Sequence, residues 1–143
     1  MAIEISGSVL LVKPDGTFRA ESLRRETGET CLPILQRLVG EGTGADAMVD
    51  VVRLAPDLDM WIDDEGMYRP SVDADGESHD PVVNGPASIV AALLGFSHQP
   101  YYGNAVFTGG ADDEGDTVGL RPEVLEKLTT LHRHALRALI TGH

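Results

Sequence analysis

The chain reads as an α+β fold: a mostly antiparallel sheet covered by about three helices. Three observations predict this. Short runs of β-branched and aliphatic residues recur between clusters of Gly, Pro and Asp. Three segments carry helix start and stop signals. The order is strands, helix, strands, helix, strand, helix, which lacks the regular alternation of a parallel sheet.

Ile3 to Lys13 is the opening strand, and Pro14-Asp15-Gly16 supplies turn chemistry, with proline presetting φ and glycine accepting a positive one. Thr17 to Glu21 returns as a second strand. Thr30 to Val39 reads as a helix capped by Thr30, with Pro33 in its first turn and Gly40 after its end. Leu32, Leu35, Leu38 and Val39 form its apolar stripe. Cys31 falls at the helix start, where a thiol can be activated. No His-containing motif accompanies it, so a packing role is expected.

Ala47 to Leu54 is the next strand, with Asp50 interrupting the face of Met48, Val52 and Leu54. After the Ala55-Pro56-Asp57 turn, Leu58 to Ile62 and Met67 to Arg69 read as a hairpin closed by Asp63-Asp64-Glu65-Gly66, with Gly66 left-handed. Ser71 to Val83 is polar and reads as a surface loop or flap. Asn84 caps a helix over Ala87 to Leu94, apolar almost all round and therefore expected to be buried, and Gly95 ends it. Asn104 to Thr108 is a short strand. Pro122 to Ile140 is the longest helix, with Glu123 and Glu126 near its start and Arg133 and Arg137 near its end. Its expected buried stripe is Leu125, Leu128, Leu131 or His132, Ala135 and Leu139.

At 143 residues a single domain over 1–143 is expected, large enough to fold without a metal or disulfide. One cysteine excludes an intrachain disulfide and fits a reducing cytoplasm. The first residues lack the basic and small-residue features of a signal peptide. The longest apolar run, Ile89 to Phe96, falls short of the ~20 residues a membrane-spanning helix needs. A cytoplasmic protein without membrane contact is expected.

The net charge of −12 is uneven. Glu41 to Leu120 holds 16 acidic and 2 basic residues, while the segment from Arg121 onward has 4 basic and 2 acidic. Such a surface disfavours direct contact with nucleic-acid phosphate and suits either solubility or a basic protein partner.

One set of features resembles a known family. A strand and turn over Val9 to Gly16 precede a helix, and Trp61 to Gly66 runs from apolar strand to acidic turn. Asn84-x-x-Ala87-Ser88 opens a helix, Gly103 to Gly109 is a strand bounded by glycines, and a terminal helix begins near Leu120. In this order, over roughly residues 8 to 130, they resemble a domain-of-unknown-function family of small proteins found in phages, plasmids and integrated elements. The long loop from Ser71 to Val83 departs from that pattern. The resemblance implies a mobile-element origin and brings no catalytic residues with it.

The acidic clusters invite a metal reading. With Gly76 at the sixth position of a calcium loop, Asp73 and Asp75 fall on ligand positions, but Ser71 and Val82 occupy the first and twelfth. The clusters ending at Gly66 and Gly115 fail at the first position too. His79-Asp80 lacks the further ligands of a phosphohydrolase, and His132 and His134 are two apart on a helix and face different ways. There is no Walker loop and no Gly-x-Ser-x-Gly elbow. No catalytic residue, cofactor or metal is assigned.

The aromatic residues Trp61, Tyr68, Tyr101 and Tyr102 with His98, and Asp73, Asp75, Glu77, His79 and Asp80 of the loop, form the candidate interaction surface. The alternative is that the rings simply complete the core. The leading functional reading is a non-enzymatic protein-interaction module, its partner a host or element-encoded protein. Two others stand beside it. One is a DNA mimic, its carboxylates standing in for phosphates. The other is a small metal-dependent or small-molecule enzyme with the loop as a lid over His79, Asp80 and Tyr101.

Overall fold

A computed structural model describes residues 4–5, 7–23, 25–26, 30–43, 46–66, 71–72, 74–96, 99–113 and 115–141. Strands β1 (Ser8–Val12) and β2 (Phe18–Ser22) form a hairpin. Its turn is the one expected: Gly16 has φ 96°, and Asp15 Oδ1 accepts from Thr17 N at 2.8 Å. Helix α1 (Leu32–Val39) follows, then a second hairpin of β3 (Val49–Ala55) and β4 (Leu58–Asp63). Helix α2 (Gly85–Leu93), strand β5 (Ala105–Thr108) and helix α3 (Pro122–Thr141) complete the main elements. Two-residue ladders pair Glu4–Ile5 with Arg25–Glu26 and Ser71–Val72 with Ser78–His79.

The sheet order is β2-β1-β5-β4-β3, antiparallel throughout, giving the α+β fold read from the sequence. The last strand enters the centre, which explains its composition. All four residues of β5 are buried, because both faces of a central strand are covered. Alternation then builds two cores. Leu10, Val12, Met60, Ala105 and Phe107 face α2 and α3. Val9, Leu11 and Val106 face α1, packing with Leu35, Leu38 and Val39. Three fully buried alanines, Ala87, Ala91 and Ala135, lie in the α2–α3 core, where α2 and α3 pack together.

Several expectations are corrected. The partners of β4 are β3 and β5, so its hairpin runs back through Pro56-Asp57. The return strand expected at Met67 to Arg69 lies outside the described residues. Gly66 is not among the described glycines with positive φ. Its constraint is contact: a Cβ there would stand 2.9 Å from Tyr102 O and 3.2 Å from Asp63 O. The imperfect alternation of β3 has an edge-strand cause. Asp50 and Arg53 are exposed, the register shifts between Arg53 and Ala55, and Met48 precedes the strand and is exposed.

Thr30 does not cap α1. Cys31 takes the cap position without a side-chain cap bond, and its backbone N donates to the carboxylate of Asp116 at 3.2 Å. A remote anion therefore sits at the positive end of the helix. Cys31 packs as expected, buried, with Sγ 3.2 Å from the Thr117 carbonyl. Leu32, expected in the α1 stripe, is exposed. Leu139 of α3 is also exposed, and His132 is the buried member of the Leu131–His132 alternative.

Asn84 performs its expected capping and more. Its Oδ1 accepts from Ala87 N at 3.0 Å, while Nδ2 donates to Val12 O at 2.9 Å and Gly103 O at 2.8 Å. One fully buried side chain thus joins α2 to the end of β1 and to the residue that leads into β5.

Candidate functional site

The strand directions define the site. Because the sheet is antiparallel, the ends of β1 and β4 and the starts of β2, β3 and β5 lie together. The end of α1 reaches the same edge, since Asn104 Nδ2 donates to Leu38 O at 3.2 Å and to Glu41 O at 2.8 Å. A cavity of about 390 Å³ opens there. Lys13, Pro14 and Asp15 come from the β1–β2 turn, and Val39, Glu41, Gly42 and Thr43 from the end of α1. Asp63 and Gly66 follow from β4, with Val82, Gly103 and Asn104 closing the wall.

Its electrostatics centre on Glu41. Lys13 Nζ contacts the Glu41 carboxylate, and Arg19 Nη2 reaches both its oxygens at 2.9 and 3.1 Å. The Lys13 hydrogen bond, reinforced by Arg19, holds the Glu41 carboxyl below the usual carboxylate range against some burial. The hydrogen bond to Thr17 does the same for Asp15. Arg19 also pairs with Glu21 at 2.5 Å, and those two carboxylates raise its guanidinium pKa, Glu21 most. Among the described residues the cavity wall carries Lys13 against Asp15, Glu41 and Asp63. Asp46, Asp64 and Glu65, exposed, extend that charge along the same edge.

A second concavity, about 270 Å³, lies at the opposite sheet end, between the start of α1 and the loop at Gly115–Thr117, with Trp61 in its wall. Trp61 Nε1 donates to Thr108 Oγ1 at 3.0 Å, and Thr108 Oγ1 donates on to Gly109 O at 2.8 Å, so the indole is satisfied within the fold.

The described residues among those singled out from the sequence do not converge. Trp61 packs on the α1 side of the sheet, whereas Tyr101 is buried in the core under α2 and α3. Its hydroxyl accepts from Gln99 Nε2 at 2.8 Å, and its backbone N donates to Ser88 Oγ at 3.0 Å. Tyr102 is half-buried and bridges to Val83. Asp75, Glu77, His79 and Asp80 are all exposed, around a turn in which Gly76 has φ 80°. Tyr68, Asp73 and His98 lie outside the described residues. None of the seven that are described lines the larger cavity. The residues that do, Lys13, Asp15, Glu41, Asp63 and Asn104, come from separate segments whose acids read as ordinary turn chemistry.

Among the described residues no three His, Cys, Asp or Glu side chains converge as a metal-ligand set, and no helix is long and apolar enough to cross a membrane.

Fold and site together define a small α+β protein: one sheet between a single helix and a helix pair, with an acid-walled cavity at one sheet end. The chain belongs to the family described as a domain of unknown function, DUF3846, which matches residues 5–133. No curated protein and no solved structure matches it.

Proposed function

We propose that this domain is a non-enzymatic protein-interaction module of mobile-element type, meeting a basic surface of a host or element-encoded protein in the cytoplasm. The observation that carries the reading is the gathering of carboxylates at the cavity end of the sheet. Asp15, Glu41, Asp46, Asp63, Asp64 and Glu65 are brought there from separate stretches of chain, and the nearby Lys13 and Arg19 are already engaged by Glu41. An edge rich in carboxylates steers a partner of opposite charge and discriminates against wrong ones.

The placement of the other acids favours this over duplex mimicry. Asp57, Asp112, Asp113 and Asp116 adjoin the opposite sheet end, where the β3–β4 turn meets Gly109 and Gly110. Asp75, Glu77 and Asp80 form a further group around the Gly76 turn, and such separate groups do not reproduce one phosphate band. The enzyme reading needs a pocket shared by His79, Asp80 and Tyr101, and those residues are apart from both concavities.

The test is capture from host lysate by the wild-type chain and by the double variant Asp64→Lys/Glu65→Lys. Both positions are exposed, so folding should survive. A specific partner retained at low salt, lost at high salt and lost by the variant is the expected result. Equal capture by the two proteins would overturn the proposal.

A further inference from the structure

We infer that the outer edge of β3 is a strand-addition edge for a second copy of this chain, and that the Asp50 carboxylate holds it closed.

β3 borders the sheet, with β4 on one side. The phase of the ladder decides which of its groups look outward. Asp64 N donates to Met48 O at 2.9 Å, so the backbone of Met48 faces β4, and by alternation that of Asp50 and Val52 does too. The N–H and C=O groups of Val49, Val51 and Arg53 therefore point away from the sheet. Among the described residues no strand pairs with them. One of these groups is nonetheless occupied: Val51 N donates to Oδ1 of Asp50 at 2.9 Å. Asp50 is exposed on the face it shares with Val52 and Leu54, and its carboxylate turns back over the strand edge. The acid that interrupts the apolar alternation of β3 thus has a place in the fold that packing does not supply.

The straight part of the strand is self-complementary. Antiparallel pairing about a two-fold axis at Val51 sets Val51 against Val51 and Val49 against Arg53, so every outward group from Val49 to Arg53 meets a partner. A two-fold axis at Val52 would need Ala55, beyond the register shift that follows Arg53. Axes at Asp50 or Arg53 would set like charges opposite one another. In the Val51 register the N–H of each Val51 must reach the carbonyl of the other, and this is the N–H that Asp50 occupies. The carboxylate also lays negative charge where the incoming carbonyl oxygen would sit. The two Asp50 side chains would lie diagonally on one face and repel. An unpaired edge is a template for association, and a charge on it blocks pairing; here the charge stands at the symmetry centre.

The experiment compares the full wild-type chain with Asp50→Ala and Asp50→Asn by sedimentation velocity over a concentration series and by amide hydrogen exchange. Position 50 is exposed, so both variants should fold, which urea midpoints verify. Asparagine keeps an Oδ1 for Val51 N and alanine does not.

The wild type is expected to stay monomeric, with the Val51 amide exchanging more slowly than those of Val49 and Arg53. Asp50→Ala should dimerise as concentration rises, and in the dimer the amides of Val49, Val51 and Arg53 should slow at least tenfold. Asp50→Asn should dimerise at least tenfold more weakly than Asp50→Ala. An Asp50→Ala chain that remains monomeric throughout the series overturns the inference. So does a dimer that leaves the Val49 and Arg53 amides unprotected, since the contact then lies elsewhere. A wild type already paired through those amides, or equal dimerisation of the two variants, would show that the Asp50 bond to Val51 is not what closes the edge.

Discussion

His132 of α3 stacks on Phe18 of β2, with ring centroids 4.3 Å apart and planes inclined by 32°. The imidazole is 6% exposed, and its Nε2 is buried without a hydrogen-bond partner. Burial therefore pushes its pKa below the ordinary 6.5. The sign of the linkage follows. Below pH 6.5 the unfolded chain takes up a proton that the folded chain resists, so this stabilising share is complete above 6.5 and lost as pH falls through the lowered folded value. His132→Phe keeps a ring against Phe18 and removes the titration. Denaturant unfolding at pH 7.5 and pH 5 should show a larger drop for the wild type than for the variant. Parallel drops would mean that His132 is not the group responsible.

Asp59 presents the opposite sign. It is 3% exposed, with Oδ1 buried and unpartnered. Desolvation raises its pKa above 3.8, against a smaller opposing pull from Arg53, its cross-strand neighbour. A raised carboxyl pKa means stability that is present below 3.8 and lost as pH rises through the folded value. Asp59→Asn should therefore stabilise the domain at pH 7, where the charged form is disfavoured, by more than at pH 3.5. A variant less stable than wild type at neutral pH would show that the Arg53 attraction outweighs burial.

Asn84 separates capping from bridging. An alanine there loses the cap on Ala87 N, worth about 1 kcal/mol. It also loses the donors to Val12 O and Gly103 O, and leaving buried carbonyls unpaired adds about 1–3 kcal/mol. Asn84→Ala should cost about 2–4 kcal/mol in urea unfolding. Asn84→Ser, which can cap but cannot bridge, should recover about 1 kcal/mol of that. Equal losses would place the whole effect in the bridge.

The difference between those roles also marks what the sequence makes legible. Capping depends on residues three apart, so the Asn84 motif could be read directly, as could the Asp15-Gly16 turn and the start of α3. The bridge to Val12 spans 72 residues and leaves no local trace. Strand order is hidden for the same reason. Ala105–Thr108 looks like any short strand, yet it lies between β1 and β4. Tyr101 was as eligible for a surface as for the core, and its place under α2 depends on Ser88, 13 residues away. The cavity is the extreme case, since Lys13, Glu41, Asp63 and Asn104 meet only after the sheet has formed.

Gly66 tests whether contact rather than backbone conformation explains a glycine. An added Cβ would stand 2.9 Å from the Tyr102 carbonyl oxygen, a backbone atom that cannot swing away as a flexible side chain would. Gly76 is the converse: its φ is 80°, and a Cβ there would meet nothing within 4 Å. Gly66→Ala should cost about 1–3 kcal/mol through crowding. Its shifts should spread to the amides of Tyr102 and Gly103, because the carbonyl must move. Gly76→Ala should cost about 1–2 kcal/mol through backbone strain alone, with perturbation confined to the exposed turn. If Gly66→Ala leaves the Tyr102–Gly103 amides in place, the close approach is not what requires glycine in the cavity wall.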